Sequence, residues 1–182
     1  MDRTKYEYIG NLSQLFHVEN YRMEGGKKDG VRVTNVQNEN GLNYTVVADR
    51  CMDIANLSFK GINISYINPS GIVAPEYYDR TGVNWLKSFT AGFVTTCGLD
   101  NVGNPCEDGE ELGLHGRIGN TPADKYNVRI IREEEDNKVE ITGIMGESFL
   151  FGSKLRLKRK ITSFQEKNRL ILEDEIVNEG LT

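Results

Sequence analysis

The residues best suited to chemistry in this sequence lie in a short glycine-rich segment, residues 114–118. His115 stands between Leu114 and Gly116, and Arg117 follows two positions later. An imidazole can donate a hydrogen bond to a ligand hydroxyl or accept one from it, and a guanidinium offers several fixed donors. A glycine after the histidine permits a sharp turn and the close approach of a ligand. The segment predicts a ligand site, although the same residues also fit a histidine that only holds a loop.

Four further residues are candidates for contacts with a ligand. Arg50 and Asp53 are three positions apart, so a regular strand would place them on opposite faces. A bulge between them would be needed to bring both to one site, and each also fits a structural salt bridge. Trp85 can stack on the apolar face of a ring or pack in the core. Asn101 can offer its amide to a hydroxyl or cap a turn.

The spacing of the possible soft ligands argues against metal chemistry. Cys97, Cys106 and His115 are nine positions apart at each step, whereas structural zinc sites use pairs about two to four residues apart. No neighbouring residue marks either thiol as reactive. We therefore predict no metal site. His17, in an early predicted strand, is interpreted as structural.

Length and composition favour one domain and exclude several classes of partner. The chain has 182 residues, of which 38% are hydrophobic and 27% charged, enough for a sizeable core. A net charge of −5 without a concentrated basic face argues against nucleic acid. No apolar stretch approaches the roughly 20 residues that cross a bilayer, and the N-terminus lacks a signal-peptide core. Three cysteines make no disulfide framework, so a reducing cytoplasm is the predicted location.

The elements that must position these residues are predicted to be antiparallel strands. Short runs of β-branched and aromatic residues alternate with Gly, Asn and Asp turns, which is typical of an all-β protein. A loop-rich segment at 68–122 holds all four prolines and the one tryptophan, and so long a loop is usually functional. Within it we expect a helical turn at 82–89 and a short strand at 93–97. The other strands are predicted at 16–23, 31–37, 44–48, 52–59, 62–67, 126–132, 139–145, 154–164 and 169–177, with a tight turn at Lys60-Gly61.

The last two strands are predicted to form a hairpin with a defined register. Pairing Phe164 with Arg169 places opposite charges against each other and apolar residues against apolar ones. We expect the charges to form one solvated face of the sheet. The predicted pairs are Lys158–Glu175, Arg159–Asp174, Lys160–Glu173, Ile161–Leu172 and Leu157–Ile176.

Several of these segments together resemble the uncharacterised branch of the aldose 1-epimerase (galactose mutarotase-like) family. The resemblance rests on the loop around His115 and on three flanking pieces, and it is dense from about residue 48 to 123. Cys51 stands where the family pattern leads us to expect glycine. The matching pieces are Thr95-Thr96-Cys97-Gly98-Leu99-Asp100-Asn101, Leu114-His115-Gly116-Arg117-Ile118, Asn120-Thr121-Pro122-Ala123, Asp49-Arg50-Cys51-Met52-Asp53-Ile54, Asn68-Pro69-Ser70-Gly71 and Trp85-Leu86.

The resemblance implies a galactose mutarotase-like β-sandwich (supersandwich) and an isomerase that opens and recloses the ring of an aldose. His115-Gly116 matches the family segment that places a histidine on the sugar. Arg117, Arg50, Asp53, Asn101 and Trp85 would then bind the substrate. This chemistry needs no cofactor, and the expected partner is a small-molecule sugar. Whether the protein forms a homo-oligomer is left open.

A second histidine and a carboxylate base come later in family members, and no histidine follows His115 here. Residues 1–182 are therefore interpreted as the N-terminal portion of a single, truncated sandwich domain with an incomplete site. Glu147, Glu173, Glu175 and Glu179 are carboxylates to which the resemblance assigns no role. Two alternatives stay open: a carbohydrate-binding protein without turnover, and a gene fragment that folds poorly and whose exposed sheet edge aggregates or pairs with another chain.

Overall fold

The computed structural model describes residues 3–150 and 152–180, and two antiparallel sheets make up most of its regular structure. The first sheet has five strands in chain order. They are β1 (His17–Arg22), β2 (Arg32–Gln37), β3 (Leu42–Val47), β4 (Asp53–Phe59) and β5 (Ile62–Asn63).

A connecting segment with little regular structure separates the two sheets. It contains two small ladders, β6 (Tyr66–Ile67) with β7 (Ala91–Gly92), and β8 (Cys106–Glu107) with β9 (Glu111–Leu112). The second sheet follows, with its four strands also in chain order. They are β10 (Asp124–Ile131), β11 (Lys138–Ser148), β12 (Lys154–Phe164) and β13 (Leu170–Asn178).

The helices of the described residues are short 3-10 turns. One of them, Asn84–Lys87, carries the tryptophan, which confirms the helical turn expected near this position. None of the helices in residues 3–150 and 152–180 has the length and apolar character needed to cross a bilayer. The other turns are Arg3–Tyr8, Leu12–Gln14, Gly26–Lys28, Pro75–Tyr77 and Ile118–Asn120.

The main core lies between the two sheets, where alternate residues of each strand point inward. On β11, for example, Val139, Ile141, Gly143 and Met145 are buried, and the residues that alternate with them, Glu140, Thr142 and Ile144, are partly exposed. Burying every second side chain is what a half-buried strand requires. The core also contains Phe16, Val36, Leu42, Tyr44, Val46, Cys51, Met52, Ile54, Leu57, Ile118, Ala123, Leu157 and Ile161.

Two predicted strands are wrong. The segment at 62–67 is two short strands in different sheets, because the Asn63 side chain bonds to the backbone of Ser65 through both its Nδ2 and Oδ1 and turns the chain. The segment at 93–97 makes only one isolated bridge, from Val94 to Ile54. There the Thr96 N–H donates to the Asp53 carboxylate instead of to a neighbouring strand. The remaining strands are confirmed within a few residues.

The register of the last hairpin is confirmed at every predicted pair. Our expectation for its charges is wrong at one position. Lys158 and Lys160 lie on the outer face, whereas Arg159 points inward between Leu157 and Ile161, and its side chain is only 3% exposed. The reason is the two-residue period of a strand, which sends position 159 to the face opposite its neighbours.

Candidate functional site

His115 is held by hydrogen bonds between two loop segments, 98–103 and 113–118. Its N–H donates to the Gly103 carbonyl at 3.0 Å, and the Gly103 N–H donates back to Nδ1 of the ring at 3.2 Å. The His115 carbonyl accepts from the Gly98 N–H at 2.9 Å. Because Nδ1 accepts a hydrogen bond, the proton of the neutral ring belongs on Nε2. In the described part of the chain Nε2 has no hydrogen-bond partner, so it is available to a ligand.

The glycine after His115 is required by the neighbouring loop. His115 and Gly116 both have left-handed backbone, with φ of 58° and 68°, a region that glycine adopts at little cost. A Cβ on Gly116 would lie 2.2 Å from the Gly98 carbonyl oxygen and 2.6 Å from Asp100 Oδ1. The close approach that this glycine permits is therefore that of the protein backbone.

Arg117 lies between two carboxylates. Its Nε is 2.7 Å from Glu147 Oε1 and 3.0 Å from Asp100 Oδ2, and its guanidinium is 5.7 Å from the ring centre of Phe149. The other oxygen of Glu147 accepts the Leu99 N–H at 3.1 Å. Glu147, whose side chain is 2% exposed, thus joins β11 to both loop segments that hold His115.

Burial and charge act in opposite directions in this cluster. Burial raises the pKa of Glu147, the hydrogen bonds from Arg117 and Leu99 lower it in part, and Asp100 raises it further. Asp100 Oδ1 and Nη2 of Arg117 are buried without a hydrogen-bond partner in the described residues. The arrangement fixes Arg117 firmly, and its Nε is directed at carboxylates of the protein.

Trp85 lies beside His115 and is 4% exposed. Its ring stacks on Phe89 at a centroid distance of 4.6 Å and meets the imidazole edge-on at 4.9 Å. Aromatic contacts at these distances stabilise a fixed ring orientation. Trp85 therefore limits the positions that the His115 ring can take.

Arg50 is buried among backbone carbonyls. Its Nε donates to the Gly119 carbonyl at 3.0 Å, and one terminal nitrogen donates to the Val73 and Ser88 carbonyls at 2.8 Å each. Burial lowers its pKa, and the charge of nearby Asp53 opposes that change. Arg50 thus joins three parts of the long connecting segment.

Asp53 belongs to a buried network centred on Arg159. It accepts the Thr96 N–H at 3.0 Å and Nη1 of Arg159 at 3.1 Å. Nη1 also donates to the Cys51 carbonyl and the Thr96 hydroxyl, and Arg159 pairs with both oxygens of Asp174 at 2.8 Å. Burial raises the pKa of Asp53 to about 6, although Thr96 and Arg159 stabilise its charged form. The network joins the two sheets to the loop that leads to Gly98.

Arg50 and Asp53 are separated by a tight turn, so the bulge considered between them is absent at this position. The Asp53 N–H donates to the Arg50 carbonyl at 2.8 Å, and Cys51 and Met52 have left-handed backbone with φ of 52° and 56°. The register shift between β3 and β4 lies further along, between Thr45 and Val46 on β3. Left-handed backbone favours glycine, which gives a physical reason for the glycine expected at position 51.

Asn101 holds the loop on the other side of His115. Its amide donates to the Asn104 carbonyl at 3.1 Å and to the Gly113 carbonyl at 2.8 Å. The structure therefore brings His115, Arg117, Trp85 and Asn101 into one loop cluster. Arg50 and Asp53 lie in the buried networks beneath it, and contact of any of the six with a ligand stays a prediction.

Sequence reasoning did not place three residues at this site that organise it, Asp100, Glu147 and Arg159; Arg159 was predicted only as the hairpin partner of Asp174. Glu147 is 48 positions from Leu99 and Arg159 is 106 from Asp53, so no local pattern joins these partners. In the described ranges no group of three or more His, Cys, Asp or Glu side chains is placed to hold a metal ion.

Two solved structures resemble this fold. The first is a "putative aldose 1-epimerase" from Klebsiella pneumoniae subsp. pneumoniae MGH 78578, with a TM-score of 0.82 and 26% identity, covering 90% of this chain and 43% of that one. The second is galactose 1-epimerase from Lactobacillus acidophilus NCFM, with a TM-score of 0.50 and 15% identity, covering 90% and 49%. The predicted all-β sandwich of the aldose 1-epimerase kind is confirmed. The chain spans less than half the length of either structure.

No curated protein matches the chain at a significant level. The family described as a domain of unknown function, DUF4432, matches residues 28–182, which is most of the sequence. The chain therefore belongs to the DUF4432 family, and its fold is that of the aldose 1-epimerases.

Proposed function

We propose that this chain forms part of a carbohydrate isomerase of the aldose 1-epimerase kind, with a free or modified aldose as substrate. The observation that carries the proposal is the fixed orientation of His115, whose Nδ1 accepts the Gly103 N–H and whose Nε2 is left to donate. The structural likeness to two epimerases supports the substrate class.

In this proposal His115 donates a hydrogen bond from Nε2 to a sugar oxygen. The ring oxygen gains negative charge as an aldose ring opens, and a donor that is already in position stabilises that charge without reorganisation. Because Nδ1 is occupied by the Gly103 N–H, the hydrogen bond to the sugar comes from Nε2. The loops around His115 are held in place by Arg50, Asp53, Asn101 and Trp85. The role of general base is not assigned to any described residue.

A second candidate function is sugar binding without turnover. It is favoured by the engagement of Glu147 with Arg117 and Leu99, which leaves this carboxylate bound within the protein. The cytoplasmic location and the possible homo-oligomer stay predictions.

Polarimetry of freshly dissolved α-galactose and α-glucose tests the proposal with His115→Asn and a matched control, His17→Asn. Asparagine tolerates left-handed backbone and keeps an acceptor for the Gly103 N–H, but it lacks the Nε2 donor. We expect acceleration by the wild type, about 100-fold less in His115→Asn, and no change in His17→Asn, since His17 lies on β1 beside Glu19.

The same proteins should be titrated with both sugars by NMR. Sugar binding without acceleration would favour the second function. The proposal is contradicted if the folded protein neither binds the sugars nor accelerates their mutarotation.

A further inference from the structure

Glu147 connects β11 to the loops that hold His115. It lies near the end of β11, beyond Ile144, the last residue of the strand that pairs with β10, and it stands opposite Leu155 of β12. Its side chain is only 2% exposed. A buried side chain held by this ladder can fix the position of whatever it binds.

The two oxygens of Glu147 bind two different loop segments. Oε2 accepts the Leu99 N–H at 3.1 Å, and Oε1 accepts Nε of Arg117 at 2.7 Å. Leu99 belongs to the 98–103 segment and Arg117 to the 113–118 segment. One buried carboxylate therefore holds both sides of the histidine loop.

From these two anchors the contacts continue directly to the imidazole. Gly98, next to Leu99, donates to the His115 carbonyl at 2.9 Å and accepts the Ile118 N–H at 3.0 Å. Gly103, at the other end of its segment, donates to Nδ1. If the 98–103 segment moves, the donor that fixes the ring moves with it.

We infer that Glu147 is a positioning residue, whose carboxylate on β11 fixes the two loop segments and thereby the tautomer and orientation of His115. The geometric part of this inference stands on the contacts alone. Its consequence for turnover rests on the proposed function.

The test is the 15N NMR signature of the His115 ring in Glu147→Gln, with Glu140→Gln as the matched control. Both substitutions remove an ion-paired carboxylate from β11, but Glu140 pairs with Arg129 away from the histidine loop. In the wild type and the control we expect widely separated Nδ1 and Nε2 shifts, as in a single tautomer. In Glu147→Gln we expect the two shifts to move towards each other, because the Gly103 donor is no longer fixed. Comparison with His115→Asn assigns the signals, since the chain has only two histidines.

Amide hydrogen exchange gives a second readout. Residues 98–103 should exchange about tenfold faster in Glu147→Gln than in the wild type, while the core strands remain protected. If Glu147→Gln does not fold, Glu147→Asp serves instead, since its shorter side chain cannot hold both partners. Unchanged ring shifts and unchanged exchange at 98–103 in the folded variant would overturn the inference.

The inference and the proposed function can fail separately. If the protein has no effect on sugars, the ring signature still reports whether Glu147 positions His115. If both hold, Glu147→Gln should slow mutarotation by about 10-fold or more, as expected when a donor is displaced by a fraction of an ångström, with little change in Glu140→Gln.

Discussion

Replacing Arg159 by methionine is expected to cost about 3 kcal/mol of unfolding free energy at pH 7. The side chain is 3% exposed, and its removal leaves the Cys51 carbonyl and the Thr96 hydroxyl without their donor. Buried polar groups without partners cost about 1–3 kcal/mol. Asp53 also loses its cation, but it can take up a proton. Its pKa is already about 6, so protonation at pH 7 adds only about 1 kcal/mol.

Urea denaturation followed by circular dichroism measures this cost. Lys158→Met is the matched control, because Lys158 is the preceding residue and its ion pair with Glu175 at 3.2 Å is on the exposed outer face. Exposed pairs contribute about 0.5 kcal/mol or less. A loss in Arg159→Met no larger than that in Lys158→Met would refute the reasoning that the inward network joins the sheets.

The cost should also depend on pH. At pH 5 Asp53 is largely protonated in the wild type, so losing the cation matters less there. The difference between wild type and Arg159→Met should then shrink by about 1 kcal/mol relative to pH 7.

Three other predictions follow from the buried groups. The folded-state pKa of Asp53, about 6, lies above its ordinary value of 3.8. The protonated form therefore contributes stability at low pH, and this contribution is lost as the pH rises through 6. Between pH 5 and pH 7 the wild type should therefore lose about 1 kcal/mol more than Asp53→Asn in urea denaturation. Gly116→Ala should lower stability by about 3 kcal/mol, because φ is 68° and the new Cβ would lie 2.2 Å from the Gly98 oxygen. A gain in stability of about 0.4–1 kcal/mol, as for a Gly→Ala change without strain, would contradict this. A thiol reagent should modify exposed Cys106 in the native protein. Cys51, whose burial raises its pKa to about 12, should react only after unfolding. Rapid labelling of Cys51 in the native protein, read by mass spectrometry, would count against the structure.

The strands and the hairpin register could be predicted because each depends on local rules. Alternating side chains and opposite charges at fixed spacing specify which residues of β12 and β13 face each other, and every predicted pair is present. The strand predictions for 62–67 and 93–97 were wrong because backbone groups there bond to side chains. The side chain is Asn63 in the first segment and Asp53 in the second. A propensity for strands carries no information about such partners.

Around His115 the sequence indicated which residue types were present but not what they bind. The left-handed turn at Gly116 is a local property, and the His-Gly pair predicted a turn there. The Nδ1 contact with Gly103 and the position of Trp85 depend on how two loop segments meet. Residues 104–112 separate those segments in the sequence, and their packing depends on Glu147, which binds Leu99 and Arg117 from β11.

By itself the sequence determined the antiparallel strands, the register of the last hairpin and the loop that carries His115, because all three depend on short-range periodicity and motif. The β-sandwich was implied by the resemblance to the aldose 1-epimerase family. Only the tertiary structure decided which partners Arg159 meets on the inner face and that Glu147 holds the histidine loop. Each of these residues binds partners tens of positions away. The free energy of a buried ion pair depends on distance and exclusion of water, and neither is defined until the sheets have packed.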